Sequence, residues 1–111
     1  MFNVKRNLVV RTRNWWGGKF PLMACEEFGE LIQAISKAER LPDDQWHDDR
    51  PQKWREPHVK IINKDNPVRE NLVEELADAF ISIKVLASRY GISDEEIQEQ
   101  LDSKLSIEKR F

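Results

Sequence analysis

The chain of 111 residues has one cysteine, four glycines and two histidines, and its charges nearly cancel. A lone cysteine, Cys25, excludes an internal disulfide; its place in a helical pattern beside Glu26 predicts a packed thiol and favours a reducing compartment. Eighteen basic against 20 acidic side chains leave a formal charge of -2, which excludes bulk electrostatic attraction to a nucleic-acid polymer. No apolar run approaches the roughly 20 residues that span a bilayer. The longest, Ala77 to Leu86, is interrupted by Asp78 and Lys84. The first residues carry Lys5, Arg6, Arg11 and Arg13 without a continuous apolar stretch, unlike a secretory signal. The expectation is a single cytoplasmic domain with one core and no membrane partner.

What is present is helical periodicity. Phe2, Val4, Leu8, Val9 and Thr12 form an amphipathic pattern that Asn14 and the Gly17-Gly18 pair should end. Pro21 suits the first turn of a second helix, with Ala24, Phe28, Leu31, Ile32 and Ile35 in period to about Arg40, before Pro42. Asn66-Pro67 reads as an N-cap followed by a first-turn proline. The helix it starts runs through Leu72, Leu76, Ala79, Phe80, Ile83 and Leu86 to Tyr90, with Gly91 as its C' residue. Ser93-Asp94-Glu95-Glu96 is a capping box opening a last helix through Ile97, Leu101, Leu105 and Ile107. Residues 41 to 66 hold three of the five prolines and both histidines, with no sustained period. They should contain a helical turn and pack Trp46, Trp54 and Ile61-Ile62; a lid over a ligand site is the alternative. With no convincing strand, the fold class is all-α, a helical bundle with two central acidic helices.

Those acidic helices carry two near-copies of one motif, Glu26-Glu27-Phe28-Gly29-Glu30-Leu31-Ile32 and Glu74-Glu75-Leu76-Ala77-Asp78-Ala79-Phe80. A spacing of three residues puts both acids of a pair about 60° apart on one helix face. Glu27 with Glu30, and Glu75 with Asp78, therefore form two-carboxylate pairs. With the first Glu of each pair at the origin of a helical wheel, Leu31 and Ala79 fall at about 40°, Ile35 and Ile83 at about 80°, and Ala34 and Ser82 at about 340°. The acids thus border the apolar stripe, beside a small residue one turn on, whereas a solvated face would lie opposite. If the helices pack together, four carboxylates converge, and hard divalent cations are the natural compensation.

A di-iron centre would need histidine within the pairs, and neither pair has one. His47 and His58 fall in the irregular segment and read as surface residues. Lys84 reads as solvated. Lys37 shares the flank of Glu30 and is a candidate phosphate partner. Trp15 and Trp16 could stack on a base, although tryptophans in small helical domains more often fill a core or an interface.

The paired motifs, each preceded by a further Glu (Glu26, Glu74) on an apolar helix, resemble the all-α nucleoside triphosphate pyrophosphatases. That superfamily includes the MazG-like proteins, the dimeric dUTPases and the phosphoribosyl-ATP pyrophosphatases. The likeness covers roughly residues 20 to 40 and 67 to 110 and is nearest to short MazG-like proteins. The stretch between the motifs is longer here than in typical MazG sequences. The late basic segment from Lys104 to Arg110 is similar to one in family members but lacks its frequent Asn. The resemblance implies hydrolysis of a nucleoside triphosphate to the monophosphate and pyrophosphate, with Mg2+ or Mn2+ on Glu27, Glu30, Glu75 and Asp78. It further implies Lys104 and Arg110 on the phosphates. Glu26 and Glu74 lie further round the wheel, at about 260°, and read as surface acids, with positioning of the attacking water the alternative role of Glu26. Apolar residues beyond the main stripe, among them Ile32, Val73, Ile81 and Val85, predict a homo-oligomer, dimer or tetramer, as the resemblance also does. The alternative is a helical protein that binds nucleotide or assembles without turnover.

Overall fold

A computed structural model describes residues 5–47, 50–54 and 58–106. Among these residues the order is α1 (Arg6–Trp16), α2 (Phe20–Glu39), a short β1 (Trp46–His47), β2 (Ile61–Ile62), α3 (Pro67–Arg89) and α4 (Asp94–Leu105), with single 3-10 turns at Gly17–Lys19, Asp43–Gln45 and Gln52–Trp54. The helical expectation holds. Its correction is the antiparallel ladder pairing Trp46 with Ile62 and His47 with Ile61.

The chain divides into two compact units, one drawn from the residues up to Ala24 and from Phe80 onward, the other Cys25–Ala79. In the first unit Val9 of α1, Phe20 of α2 and Val85 of α3 form the buried core, with Ile81 and Leu86 packed against it. The Arg89 guanidinium lies 5.0 Å from the Phe20 ring centre and 5.8 Å from that of Tyr90, covering apolar edge while keeping its charge hydrated. α1 continues past Asn14 to Trp16 and stops at Gly17, whose φ of 68° favours glycine. Phe2 and Val4 of the expected first helix lie outside the described residues.

The ends of α3 and α4 follow their local chemistry. The Val68 amide donates to Asn66 Oδ1 at 2.9 Å, and Pro67 occupies the first helical position, where a missing N–H leaves no bond unmade. At the other end Gly91 has a φ of 67°, and the Ile92 amide reaches back to the Ala87 carbonyl at 2.9 Å, a Schellman closure. The capping box follows at once: Ser93 Oγ accepts from the Glu96 amide at 3.1 Å and Glu96 Oε2 accepts from the Ser93 amide at 2.7 Å. Lys84, expected to be solvated, is instead half-buried and paired with Asp94 Oδ1 at 2.6 Å. Ile107 lies outside the described residues, and Leu101 and Leu105 of α4 are exposed.

In the second unit two asparagines organise the irregular segment. The Asn63 amide donates to the Gln45 carbonyl at 3.0 Å, Asn63 Nδ2 donates to the Asp44 carbonyl at 3.1 Å, and Asn63 Oδ1 meets His47 Nδ1. Asn66 Nδ2 adds a 2.7 Å bond to Gln45 Oε1. Trp46 donates from its indole to the Leu41 carbonyl at 3.1 Å, and Ile62 is buried. Trp54 departs from expectation, being exposed under the Lys53 ammonium. His47 and His58 are exposed as expected, whereas Cys25 is exposed where a packed thiol was predicted.

Two substitutions test the hinge between α3 and α4. Gly91→Ala forces a side chain into a left-handed conformation and should cost about 1 kcal/mol or more. Ser93→Ala should cost about 1 kcal/mol by removing the cap. Urea unfolding combined with hydrogen exchange over α4 measures both; exchange in α4 unchanged by Ser93→Ala would show that the box contributes nothing to holding that helix.

Candidate metal centre

The site lies within the second unit and begins with which helix positions are small. Within the second unit the buried residues of the acidic helices are Ala34 and Ala38 on α2 and Ala79 on α3. Measured from Glu27 or Glu75, these alanines lie within about 60° of the acids on the wheel. The larger members of the expected stripe, Ile35, Leu76 and Ile83, are exposed. The acids therefore sit on the buried meridian itself. This corrects the expectation that they border a stripe of large apolar residues: alanine side chains leave less bulk at the packing face, so that face follows the small residues.

Glu27, Glu75 and Asp78 each offer a carboxylate oxygen, and the three oxygens lie within 4.8 Å of one another. Glu75 and Asp78 are brought together by their spacing on α3, Glu27 by the packing of α2. All three side chains are half-buried. Glu27 Oε2 and Glu75 Oε2 are shielded from solvent without a hydrogen-bond partner among the described residues. One turn after Asp78, the fully buried Ser82 also has an Oγ without a partner among the described residues.

The electrostatics follow from this crowding. Burial raises the Glu27 carboxyl above its ordinary value near 4.5, and the charges of Glu30, Asp78 and Glu75 raise it further. Glu75 is raised likewise, by burial first and then by Glu30 and Asp78. Each effect disfavours the ionised form. Glu30, the fourth expected ligand, is exposed and lies outside the three converging oxygens, but its side chain hydrogen-bonds those of both Glu27 and Glu75 and its charge raises both carboxyls.

The other expected residues are spread over the fold. Glu26 is exposed beside Glu27 on α2 and is not a member of the three-oxygen set. Lys37 is exposed in the last turn of α2, about 10 Å along the helix axis beyond Glu30 at about 1.5 Å per residue. Trp15 is 81% exposed on α1 and fills no core; the side chain of Trp16 lies outside the described residues. Lys104 is exposed in the last turn of α4, and Arg110 lies outside the described residues. Two contacts had no expectation attached to them: Lys60 over the Trp46 ring at 5.4 Å, and Arg13 Nη1 donating to Ser88 Oγ at 2.7 Å. Both join residues far apart in sequence, beyond what a wheel for a single helix can register.

Comparison of the chain with protein-family models, with curated proteins and with solved structures gives no match. The donor set nevertheless has a definite chemistry. Three converging carboxylates, two of them (Glu27 and Glu75) with a shielded, unpartnered oxygen, form an oxygen-only donor set whose chemistry fits a hard divalent cation better than a soft metal.

Raised carboxyl values fix the sign of a pH effect. Glu27 and Glu75 hold a proton more tightly folded than unfolded, so the metal-free protein keeps this contribution at acid pH and loses it as pH rises from about 4.5 through the raised values. In chelator, a Glu27→Gln/Glu75→Gln variant should therefore melt above the parent by a margin that grows with pH. A margin independent of pH would show that the acids are solvated and apart.

Proposed function

We propose that the protein is a Mg2+-dependent nucleoside triphosphate pyrophosphohydrolase of the MazG-like kind, with Mn2+ an effective substitute. The observation that carries the reading is the convergence of Glu27, Glu75 and Asp78 within 4.8 Å. The doubled sequence motif supports it, because the resemblance expects metal ligands at these same positions.

Glu27, Glu75 and Asp78 would hold the metal, with Glu30, whose side chain hydrogen-bonds those of Glu27 and Glu75, as the fourth proposed ligand. A divalent ion held there would supply positive charge to set against the triphosphate and would make a neighbouring water more acidic. The carboxylates provide a fixed negative frame that fails to bind a polyanion without a cation between them. Glu26, exposed one residue before Glu27, is free to orient the attacking water by accepting a hydrogen bond from it. Water oxygen attacks the α-phosphorus, the α–β anhydride bond breaks, and pyrophosphate leaves with the bonding electron pair. Lys37, Lys104 and Arg110 are the proposed phosphate partners, and Trp15 and Trp16 the proposed base platform. The exposure of Trp15 supports its role. Among the described residues no helix is long and apolar enough to cross a membrane; the proposal of a cytoplasmic setting rests on the lone cysteine.

Of the four apolar residues expected to lie uncovered, Val85 is buried and Ile81 packs against the core, so the support for an oligomer comes from the other two. Ile32 is 67% and Val73 58% exposed on the two acidic helices, and such residues gathered on one surface mark interfaces. Ile32→Lys and Val73→Lys should each shift the protein toward monomer in light scattering at micromolar concentration; a parent that is already monomeric would refute the assembly.

The test of the chemistry is release of pyrophosphate, measured separately from phosphate, across a panel of ribo-, deoxyribo- and modified nucleoside triphosphates. Activity should require Mg2+ or Mn2+ and vanish in chelator. Glu27→Gln, Glu75→Gln and Asp78→Asn should each reduce it by at least about 100-fold while the fold persists. Near-parental turnover in any of the three would remove that residue from the metal set. Metal-dependent nucleotide binding without pyrophosphate release would identify a non-catalytic binding protein instead.

A further inference from the structure

A cleft of about 420 Å3 lies in the first unit and contains none of the clustered acids. It opens between α1, the later turns of α3 and the start of α4. Val9, Val10, Ala87 and Ile92 give it an apolar lining. Its size falls within the roughly 300–1,000 Å3 typical of small-molecule sites.

The charged groups of this cleft are unevenly matched. Its walls carry Arg6, Arg13 and Lys84 against Asp94 and Glu95, three cations to two carboxylates. Lys84 and Asp94 already neutralise one another at 2.6 Å. Arg13 is half-buried, and the hydrogen bond it makes among the described residues runs from Nη1 to the neutral Ser88 Oγ at 2.7 Å. One of its five N–H groups is thereby used, and its charge has no carboxylate partner among the described residues. Arg6 precedes Arg13 by two helical turns and lines the same cleft. Because Ser88 Oγ accepts from Arg13, its own proton is free to be donated.

We propose that this cleft binds a small organic anion. Its phosphate or carboxylate group is held by the Arg13 guanidinium and the Ser88 hydroxyl with Arg6 alongside, and its apolar body lies against Val9 and Ile92. A half-buried guanidinium without a counter-charge gains more from an anion than from water, and its planar fork matches either oxyanion. The net excess of one cation sets the ligand's charge near one or two. Glu95, at the rim, disfavours polyanions such as a triphosphate, so this cleft and the carboxylate cluster select different molecules.

The test is an NMR titration of the full chain in chelator, which removes any metal-dependent binding at the acidic cluster, using phenyl phosphate, benzoate and inorganic phosphate as probes. Saturable shifts are expected at the amides of Arg13, Ser88 and Ile92. Affinity should fall about tenfold in Arg13→Gln and several-fold in Ser88→Ala and Arg13→Lys, and stay unchanged in Glu75→Gln. A preference for phenyl phosphate assigns a phosphoester ligand, and one for benzoate a carboxylate. The proposal is overturned if none of the three probes saturates, or if Arg13→Gln binds as the parent does. Should Arg13→Gln fail to fold, parental affinity in both Ser88→Ala and Arg13→Lys overturns it equally. Benzylamine binding there in preference to the anions would likewise overturn it and assign the cleft to Asp94 and Glu95.

Discussion

Like-charge repulsion among three carboxylates is the constraint around which the acidic helices are organised. The approach of Glu75 to Asp78 is built into α3, since a three-residue spacing leaves two side chains on one face. The approach of Glu27 is different, because α2 has to be packed so as to bring it there, and the fold does so although burial and neighbouring charge both raise its carboxyl. Packing that brings acids together has to be supported by other contacts. The alanines Ala34, Ala38 and Ala79, buried on the acid-bearing faces of the same helices, put little bulk beside the acids, and the dispersion contacts they make offset part of the repulsion.

A packing face made of small residues has a second consequence. Alanine buries little area, and at about 25 cal/mol per Å2 of apolar surface it contributes much less than leucine or isoleucine. The larger residues, Ile32, Ile35, Val73 and Leu76, are left exposed on the flanks. Site and surface are therefore linked: the residues that let the acids converge are those that fail to hide the bulky side chains. A second copy covering those flanks would supply the burial that the alanines cannot, which is the physical ground on which the proposed oligomer rests.

How much of this was legible in the sequence depended on the range of the interaction. Caps are local, and Asn66-Pro67, Gly91 and the Ser93/Glu96 box were all readable because each needs only its own neighbours. The acidic pairs were readable for the same reason. What joined them was not, because a wheel ranks positions by hydropathy and so centred the stripe on Ile35 and Ile83, whereas the fold buried Ala34 and Ser82. The two-residue strands escaped detection because a long aperiodic stretch separates Trp46-His47 from Ile61-Ile62, and their pairing is secured by Asn63 and Asn66, whose side-chain bonds have no period. Lys84 looked solvated on its own helix and found its partner on the next one. Cys25 looked packed by position, yet its face of α2 is exposed.

The unsatisfied oxygens of Glu27 and Glu75 can be relieved in two ways, by a proton or by a cation. Raised carboxyl values mean that the first route is already partly taken where the solution is acid, since a shared proton removes one charge and supplies a donor. A divalent ion removes two charges and offers several coordination positions, but it must displace whatever protons the cluster holds, so its binding is proton-coupled and weakens as pH falls. The two routes also differ in what they leave available. A protonated cluster is electrically quiet and has nothing to offer a phosphate. A metal-loaded one would offer open coordination positions on a cation held by a frame that cannot itself approach a polyanion. Under the proposed function, the crowding that burdens the empty fold would favour an oxyanion ligand once the cation is bound, so the position of Glu27 would matter more to that chemistry than the number of acids on either helix.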